Sequence, residues 1–344
     1  GAMGGSIWLP LPLGSVALIP LRSPQEALRP TAIALGSFDG LHQGHRRVIA
    51  AVTAAAGNEA AAIPTVVSFW PHPREVLHGE ARLRLDLPAE KLHLLEPLGI
   101  EQLVLVTFSR ELAALSPEAF VEQVLVGQLA AQRVAVGDNF RFGAGRSGDS
   151  QALAVIGARH GIEVEVLPML WDGEERVSSS RIRRALGAGD LAEARRLLER
   201  PYRFSGLVVR GRGLGRQLGW PTANLQVDGR KFLPLEGVYA ATASVEGGAM
   251  LPAVMNLGPQ PTVDPTAPSA VEVHLLDRQL ELEGLELVVE PLQLLRRQQT
   301  FASFEQLAAQ IAADAQLARA LSAGIGVGEA PANEGCDPAE QQNP

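Results

Sequence analysis

Between residues 30 and 168, short apolar runs alternate with stretches of helical character. Residues 32–35, 65–69, 102–107, 133–136 and 163–167 read as strands. Several are apolar nearly throughout, the pattern of strands covered on both faces. The stretches 46–56, 91–98 and 117–129 between them read as helices. Ser116 suits the N-cap of the last, and Pro117 its first helical position, where a missing N–H costs nothing. Strand–helix alternation of this kind predicts a parallel α/β sheet with right-handed crossovers.

A basic helical segment follows at 180–199, with Arg181, Arg183, Arg184, Arg195 and Arg196. Arg200-Pro201 ends it, because proline disfavours helix at the residue before it. Beyond Tyr202 the pattern changes to strands without intervening helices, at 204–209, 238–245, 251–256, 270–276 and 285–290. Gly- and Pro-rich turns between them predict a small antiparallel barrel. A closing helix is expected from Ser303, with Gln306 completing a capping box and Phe304, Leu307, Ala308 and Ile311 on its buried face. No internal repeat is evident. The predicted layout is a tag or disordered start at 1–15, an α/β unit at 16–199, a β unit with its helix at 200–323, and a disordered tail at 324–344.

Composition narrows the function classes. A chain of 344 residues exceeds a single typical core, and 46% hydrophobic with 20% charged residues is an ordinary globular balance. A net charge of −8 argues against nucleic acid as the main partner. The apolar runs fall short of the roughly 20 residues a membrane helix needs. Cys336 is the only cysteine, so no disulfide is possible within the chain, and a reducing cytoplasm fits. Small molecules remain as the expected partners.

The first strand of the α/β unit runs into Gly36-Ser37-Phe38-Asp39-Gly40-Leu41-His42-Gln43-Gly44-His45. Glycines at a strand end, before a helix, let phosphate oxygens approach the main chain where backbone N–H groups and the helix dipole favour anions. His42 and His45 share one side of the turn and can donate to a phosphate gaining charge during displacement. They could also bind a metal, although no third ligand of zinc-like spacing is evident.

The β unit carries a second, unlike loop, Gly211-Arg212-Gly213-Leu214-Gly215-Arg216. Its spacing is not that of a dinucleotide fingerprint and it opens no helix, so an arch over a polyphosphate is the better reading. Pro221-Thr222-Ala223-Asn224 then offers hard oxygen ligands suited to Mg²⁺. In Val271-Glu272-Val273-His274, strand alternation sets Glu272 and His274 on one face, where a carboxylate could take a proton from an attacking alcohol.

The first loop resembles the HxGH nucleotidyltransferases, with Phe69-Trp70-Pro71-His72-Pro73, the segment from Gly137 to Gly143 containing Asn139, and Val177-Ser178-Ser179-Ser180-Arg181-Ile182-Arg183 after later strands. Residues 200–322 resemble a riboflavin kinase module. The pairing resembles the bacterial bifunctional riboflavin kinase/FMN adenylyltransferases, or FAD synthetases. That resemblance implies a Rossmann-like domain with a parallel sheet, followed by a small antiparallel β-barrel ending in a helix. It implies ATP as co-substrate, riboflavin, FMN and FAD as substrates and products, and Mg²⁺ in both steps. Gly36, Phe38, Asp39, Gly40, Gly44, His72 and Asn139 would bind ATP for adenylylation. His42 and His45 would stabilise the α-phosphate, and Ser179, Ser180 and Arg183 would grip pyrophosphate. In the kinase half Gly211, Gly213, Gly215 and Arg216 would cradle phosphates, Thr222 and Asn224 would hold Mg²⁺, and Glu272 would be the base.

Two segments depart from the family pattern. Leu295-Arg296-Arg297-Gln298-Gln299-Thr300-Phe301 lacks the usual acid and lysine, and Arg278 and Glu283 stand where aromatics are common. The alternatives are therefore a monofunctional FMN adenylyltransferase with a weakened kinase half, a non-catalytic flavin-binding regulator, and an adenylyltransferase for another phosphate substrate.

Overall fold

The structure, a computed structural model, describes residues 19–55, 62–80, 84–210, 222–260, 267–276 and 281–326. The expected N-terminal tag, residues 327–344 of the tail expected at 324–344, the loop residues Gly211, Gly213, Gly215 and Arg216, and Arg278 lie outside them, whereas residues 324–326 continue the last helix instead of beginning a disordered tail.

The first half is the expected parallel sheet. Strands β1 (Leu21–Arg22), β2 (Thr31–Leu35), β3 (Ile63–Trp70), β4 (Gln102–Thr107) and β5 (Ala131–Gly137) join β8 (Glu163–Leu167) in the order β1-β4-β3-β2-β5-β8. All five residues of β2 are buried, which explains why no polar alternation marks it in the sequence. Helices α1 (Gln43–Ala55), α2 (Pro73–His78), α3 (Pro88–Leu95), α4 (Arg110–Ala113), α5 (Pro117–Phe120) and α6 (Ser150–Arg159) connect the strands. Two short hairpins complete this half, β6 (Arg141–Phe142) with β7 (Gly148–Asp149), and β9 (Trp171–Asp172) with β10 (Glu175–Arg176). The strand order reverses direction after β2, so the carboxyl ends of β2 and β5 flank the crevice where open sheets bind ligands.

Three expected helices differ in detail. The stretch 91–98 begins earlier, as α3 from Pro88, and ends in a 3₁₀ turn over Glu96–Leu98. The stretch 117–129 begins as α5, with Ser116 accepting from Ala119 N at 3.0 Å, then widens into a π-helix over Val121–Gln128. Gly127 permits the widening, since a Cβ there would stand 3.1 Å from Glu122 O. The stretch 180–199 is two helices, α7 (Ser179–Gly187) and α8 (Leu191–Leu198). Gly189, at φ +76°, turns the chain, and Asp190 caps α8 by accepting from Glu193 N at 3.0 Å.

The second half is a closed antiparallel barrel of order β11-β12-β15-β14-β13-β16. Its strands are β11 (Phe204–Val209), β12 (Ala223–Val227), β13 (Gly237–Val245), β14 (Leu251–Leu257), β15 (Ser269–Leu275) and β16 (Glu286–Arg296). β12 was not among the expected strands, because Thr222 before it and its first residues Ala223 and Asn224 read as a ligand-binding loop. β16 runs past the expected end at 290, since Pro291 sits where the register with β13 shifts and no ladder donor is needed.

Helix α9 (Phe304–Gly326) packs against β13 and β14 of the barrel. Ser303 Oγ accepts from Gln306 N at 3.2 Å, while the Gln306 side chain accepts from Ala302 N at 3.3 Å, so the reciprocal arm lands one residue early. Phe304 is 60% exposed, against expectation, and Leu307, Ala308 and Ile311 are half-buried. The fully buried positions lie two turns later, at Asp314, Ala315 and Ala318.

The core does not stop between the halves. Leu186, Leu197 and Leu198 of the α7–α8 pair share one apolar cluster with Tyr202, Phe204, Tyr239 and Leu287 of the barrel half. Among the described residues, no helix is long and apolar enough to cross a membrane.

Candidate functional site

The loop after β2 is held in a conformation that its own residues do not favour. Phe38 and Leu41 have φ of +46° and +44°, and Gly40 has φ +92°. Gly40 also leaves room for a neighbour, because a Cβ on it would meet Leu85 Cδ1 at 2.9 Å. Buried groups from elsewhere hold this loop in place. Ser68 Oγ donates to Ser37 O at 3.0 Å, and Lys91 Nζ donates to Ser37 O and Phe38 O at 2.8 and 3.1 Å. Gly40 N donates to Asp86 Oδ2 at 2.8 Å, and the Arg200 guanidinium donates to the carbonyls of Gly40 and Leu41.

Asp39 is 2% exposed and serves as the hub. Its carboxylate accepts from Leu85 N at 2.9 Å and pairs with Arg183, while its carbonyl accepts from Ser179 Oγ at 2.7 Å. Burial and the nearby Asp86 push its pKa up, opposed by Arg183, Arg84 and Lys91. Helix α7, capped by Ser178 accepting from Arg181 N at 3.1 Å, is thereby docked on the loop. Burial pulls the Lys91 pKa down and the Arg200 pKa down to about 10.

His42 and His45 stack with ring centroids 3.5 Å apart, and Phe38 meets the His45 ring edge-on at 5.4 Å. Burial, then Arg46 and Arg200, pull the His42 pKa down to about 3, and burial followed by His42 itself pulls His45 well below its usual value. Both rings are therefore neutral near pH 7. His42 Nδ1 accepts from Gly44 N at 3.1 Å, which puts the ring proton on Nε2. Gly44 allows this fit, since a Cβ there would lie 3.0 Å from His42 Cε1. His72 repeats the arrangement at the N-cap of α2: its Nδ1 accepts from Arg74 N at 3.1 Å, and burial, then Arg84 and Arg183, pull its pKa down to about 3. Gly36 N donates to Val67 O at 3.2 Å, which keeps the β2 terminus beside β3. Asn139 and Ser180 are exposed, at the end of β5 and in the first turn of α7.

The structure thus brings Asp39, Ser179 and Arg183 together directly, around one loop bearing two stacked neutral imidazoles. Asp86, Lys91 and Arg200 were not legible as part of this site. Their sequence surroundings look like ordinary helix and linker, and only tertiary partners give them a role.

On the barrel, β15 pairs with β12 and β14 so that Glu272 stands opposite Asn224 on one side and Asn256 on the other. Val271 and Val273 are buried while Glu272 is exposed and His274 half-buried, which bears out the expected alternation. Thr222 Oγ lies 3.2 Å from His274 Nδ1. A hydroxyl, two amides and a carboxylate therefore line neighbouring strands. Gln298, at the position of the missing family acid, donates to Asn256 Oδ1 at 2.6 Å and to Leu257 O at 3.2 Å. The altered segment is thus tied to the strand bearing Asn256 by an amide proton that a carboxylate lacks.

Among the described residues, no group of three or more His, Cys, Asp or Glu side chains is arranged to hold a metal ion. The oxygens of Thr222 and Asn224 fit Mg²⁺ that keeps several waters.

Comparison with known proteins follows the same division. The FAD synthetase family matches residues 24–181 and the riboflavin kinase family residues 198–322. The chain is 40% identical to a bifunctional riboflavin kinase/FMN adenylyltransferase of Pseudomonas fluorescens, over 84% of this chain and 92% of that protein. Its identity to the Escherichia coli K12 protein of the same name is 38%, over 87% and 94% of the two chains. A solved structure described as a macrolide-efflux protein from Streptococcus pneumoniae is similar with a TM-score of 0.76 and 28% identity, covering 88% of this chain and 99% of that one. With both halves matched and identity this high over most of its length, the chain belongs to the bifunctional riboflavin kinase/FMN adenylyltransferases.

Proposed function

We propose that this chain makes both flavin cofactors, the barrel producing FMN and the α/β half converting it to FAD. In the first step the riboflavin 5′-hydroxyl attacks the γ-phosphorus of ATP, the alcohol proton goes to Glu272, and ADP leaves. In the second an FMN phosphate oxygen attacks the α-phosphorus of ATP, forming the P–O–P bond of FAD, and pyrophosphate leaves.

The observation that carries this reading is the pairing of two unlike phosphate sites on one chain. Support for the first is the stack of His42 and His45, neutral and with a ring N–H on His42 Nε2, on the same loop as Asp39, which pairs with Arg183. Such N–H groups stabilise charge that develops on the α-phosphate without adding a cation that would hold the product. Gly36, Phe38, Gly40 and Gly44 shape the loop, and His72 and Asn139 complete the ATP pocket from the ends of β3 and β5. Ser179, Ser180 and Arg183 hold the leaving pyrophosphate. Support for the second is the row of Asn224, Glu272 and Asn256 across three strands, with Thr222 beside it. Thr222 and Asn224 would hold Mg²⁺, which neutralises phosphate oxygens when bound. Gly211, Gly213, Gly215 and Arg216 would bind the ATP phosphates.

The working division is 16–199 for adenylylation and 200–323 for the kinase, in a reducing cytoplasm. The test is product analysis of the whole chain with ATP, Mg²⁺ and either riboflavin or FMN. FMN and then FAD are expected from riboflavin, and FAD alone from FMN. FAD from FMN with no FMN from riboflavin would favour the monofunctional reading. Tight flavin binding without ATP consumption would favour a regulator.

A further inference from the structure

We infer that the turn at residues 228–232 of the barrel half is a working part of the adenylyltransferase site, with Lys231 as its positioning residue. This rests on the division of labour proposed above and adds a dependence of one reaction on the other half.

Lys231 follows the kinase strand β12 yet is 2% exposed, with its ammonium placed inside the α/β half. Nζ donates to Leu85 O at 2.7 Å and to both carboxylate oxygens of Glu90 at 2.9 Å, and lies 4.8 Å from the centre of the Tyr202 ring. The backbones are joined as well. Arg84 N donates to Arg230 O at 3.1 Å, Phe232 N donates to Arg84 O at 2.7 Å, and Arg84 and Lys231 form a parallel bridge.

The segment so gripped is the one that shapes the phosphate loop. Leu85 accepts from Lys231 through its carbonyl and donates to Asp39 Oδ1 through its N–H, so a single residue lies between the barrel cation and the hub of the site. Asp86 holds Gly40 N, and Lys91 holds the carbonyls of Ser37 and Phe38. The same turn touches a second strand-end motif, because Arg230 and Arg84 stand 5.6 and 4.7 Å from the ring centre of Trp70, two residues before His72.

A tether between two domains needs none of this. A buried ammonium is costly unless every proton is satisfied, and a satisfied buried network selects one arrangement over near alternatives. The loop it supports carries left-handed backbone at Phe38, Gly40 and Leu41, which persists only when its surroundings impose it. Loss of the Lys231 contacts frees the 84–91 segment, and with it the loop that must hold the α-phosphate in line.

The test compares Lys231→Met, Lys231→Met/Glu90→Gln and Arg230→Ala in the full chain, measuring thermal midpoint, FMN formation and FAD formation from supplied FMN. In Lys231→Met, kcat for FAD formation is expected to fall by about tenfold or more, as sub-ångström misplacement of a reacting group does. FMN formation should stay at the wild-type level. The double variant removes the stranded carboxylate charge, so its thermal midpoint should recover while FAD formation stays low. That separation distinguishes positioning from mere stability. FAD formation that recovers along with the midpoint, or both activities falling in parallel, overturns the inference. If Lys231→Met does not fold, the double variant and Arg230→Ala decide. Arg230→Ala is expected to raise the KM for ATP in FAD formation alone, and an unchanged KM there counts against the turn. A wild-type chain that makes no FAD from FMN would instead sink the division of labour itself.

Discussion

At the scale of single residues, the chemistry depends on which groups are kept uncharged. Burial keeps His42, His45 and His72 neutral, and the backbone bonds to His42 and His72 fix which nitrogen keeps its proton. His45→Ala should therefore cut FAD formation on the order of 10²–10³-fold, the usual loss for an oxyanion-type donor, and leave FMN formation intact. Glu272→Ala should do the reverse, abolishing FMN formation while supplied FMN is still adenylylated. Product ratios from the two variants check this, and equal loss of both activities in either one contradicts separate sites.

The same histidines make stability depend on pH. Folded-state values of about 3 for His42 and His72 lie below the ordinary 6.5, so the unfolded chain takes up protons that the folded chain refuses. Their contribution is complete above pH 6.5 and is lost as pH falls from there toward 3. Urea midpoints should be lower at pH 4.5 than at pH 7, and His72→Gln should shrink the difference. A midpoint indifferent to pH in the wild type would contradict the burial argument.

At the scale of elements, the strand-to-helix turn after β2 is decisive. Gly40→Ala combines a φ of +92° with a 2.9 Å approach to Leu85 Cδ1. Strain of this kind costs roughly 1–3 kcal/mol. FAD formation should fall while FMN formation continues, and full retention of FAD formation would show that the turn tolerates a side chain. Sequence located most elements, because period and capping are local properties. Ser116 capped α5 as expected, and the strands 102–107, 163–167 and 204–209 matched the observed bounds. What it missed had non-local causes. The π-turn needs the space at Gly127 beside Glu122 O, β12 is a strand because β11 and β15 flank it, and Phe304 is exposed because α9 docks through its later turns.

At the scale of the whole molecule, the two halves share contacts through α7, α8 and the 228–232 turn. Apolar side chains of both halves fill one cluster, and Arg200 and Lys231 send charges across the boundary. Calorimetry should therefore record a single cooperative transition rather than two separated ones. Two well-resolved peaks would mean that the shared core contributes little.

Sequence alone determined the two architectures, and it marked two glycine-rich loops and His42, His45, Thr222, Asn224 and Glu272 as candidates for phosphate chemistry. Each of these is encoded by spacing within a few residues, where steric and hydrogen-bonding rules act locally. Only the tertiary structure decided that the imidazoles are neutral, that Asp39 links Arg183 to Leu85, and that a barrel lysine lies one residue from that hub. Burial and partner choice arise when segments far apart in the chain meet, and no local pattern records which cation will meet which carboxylate.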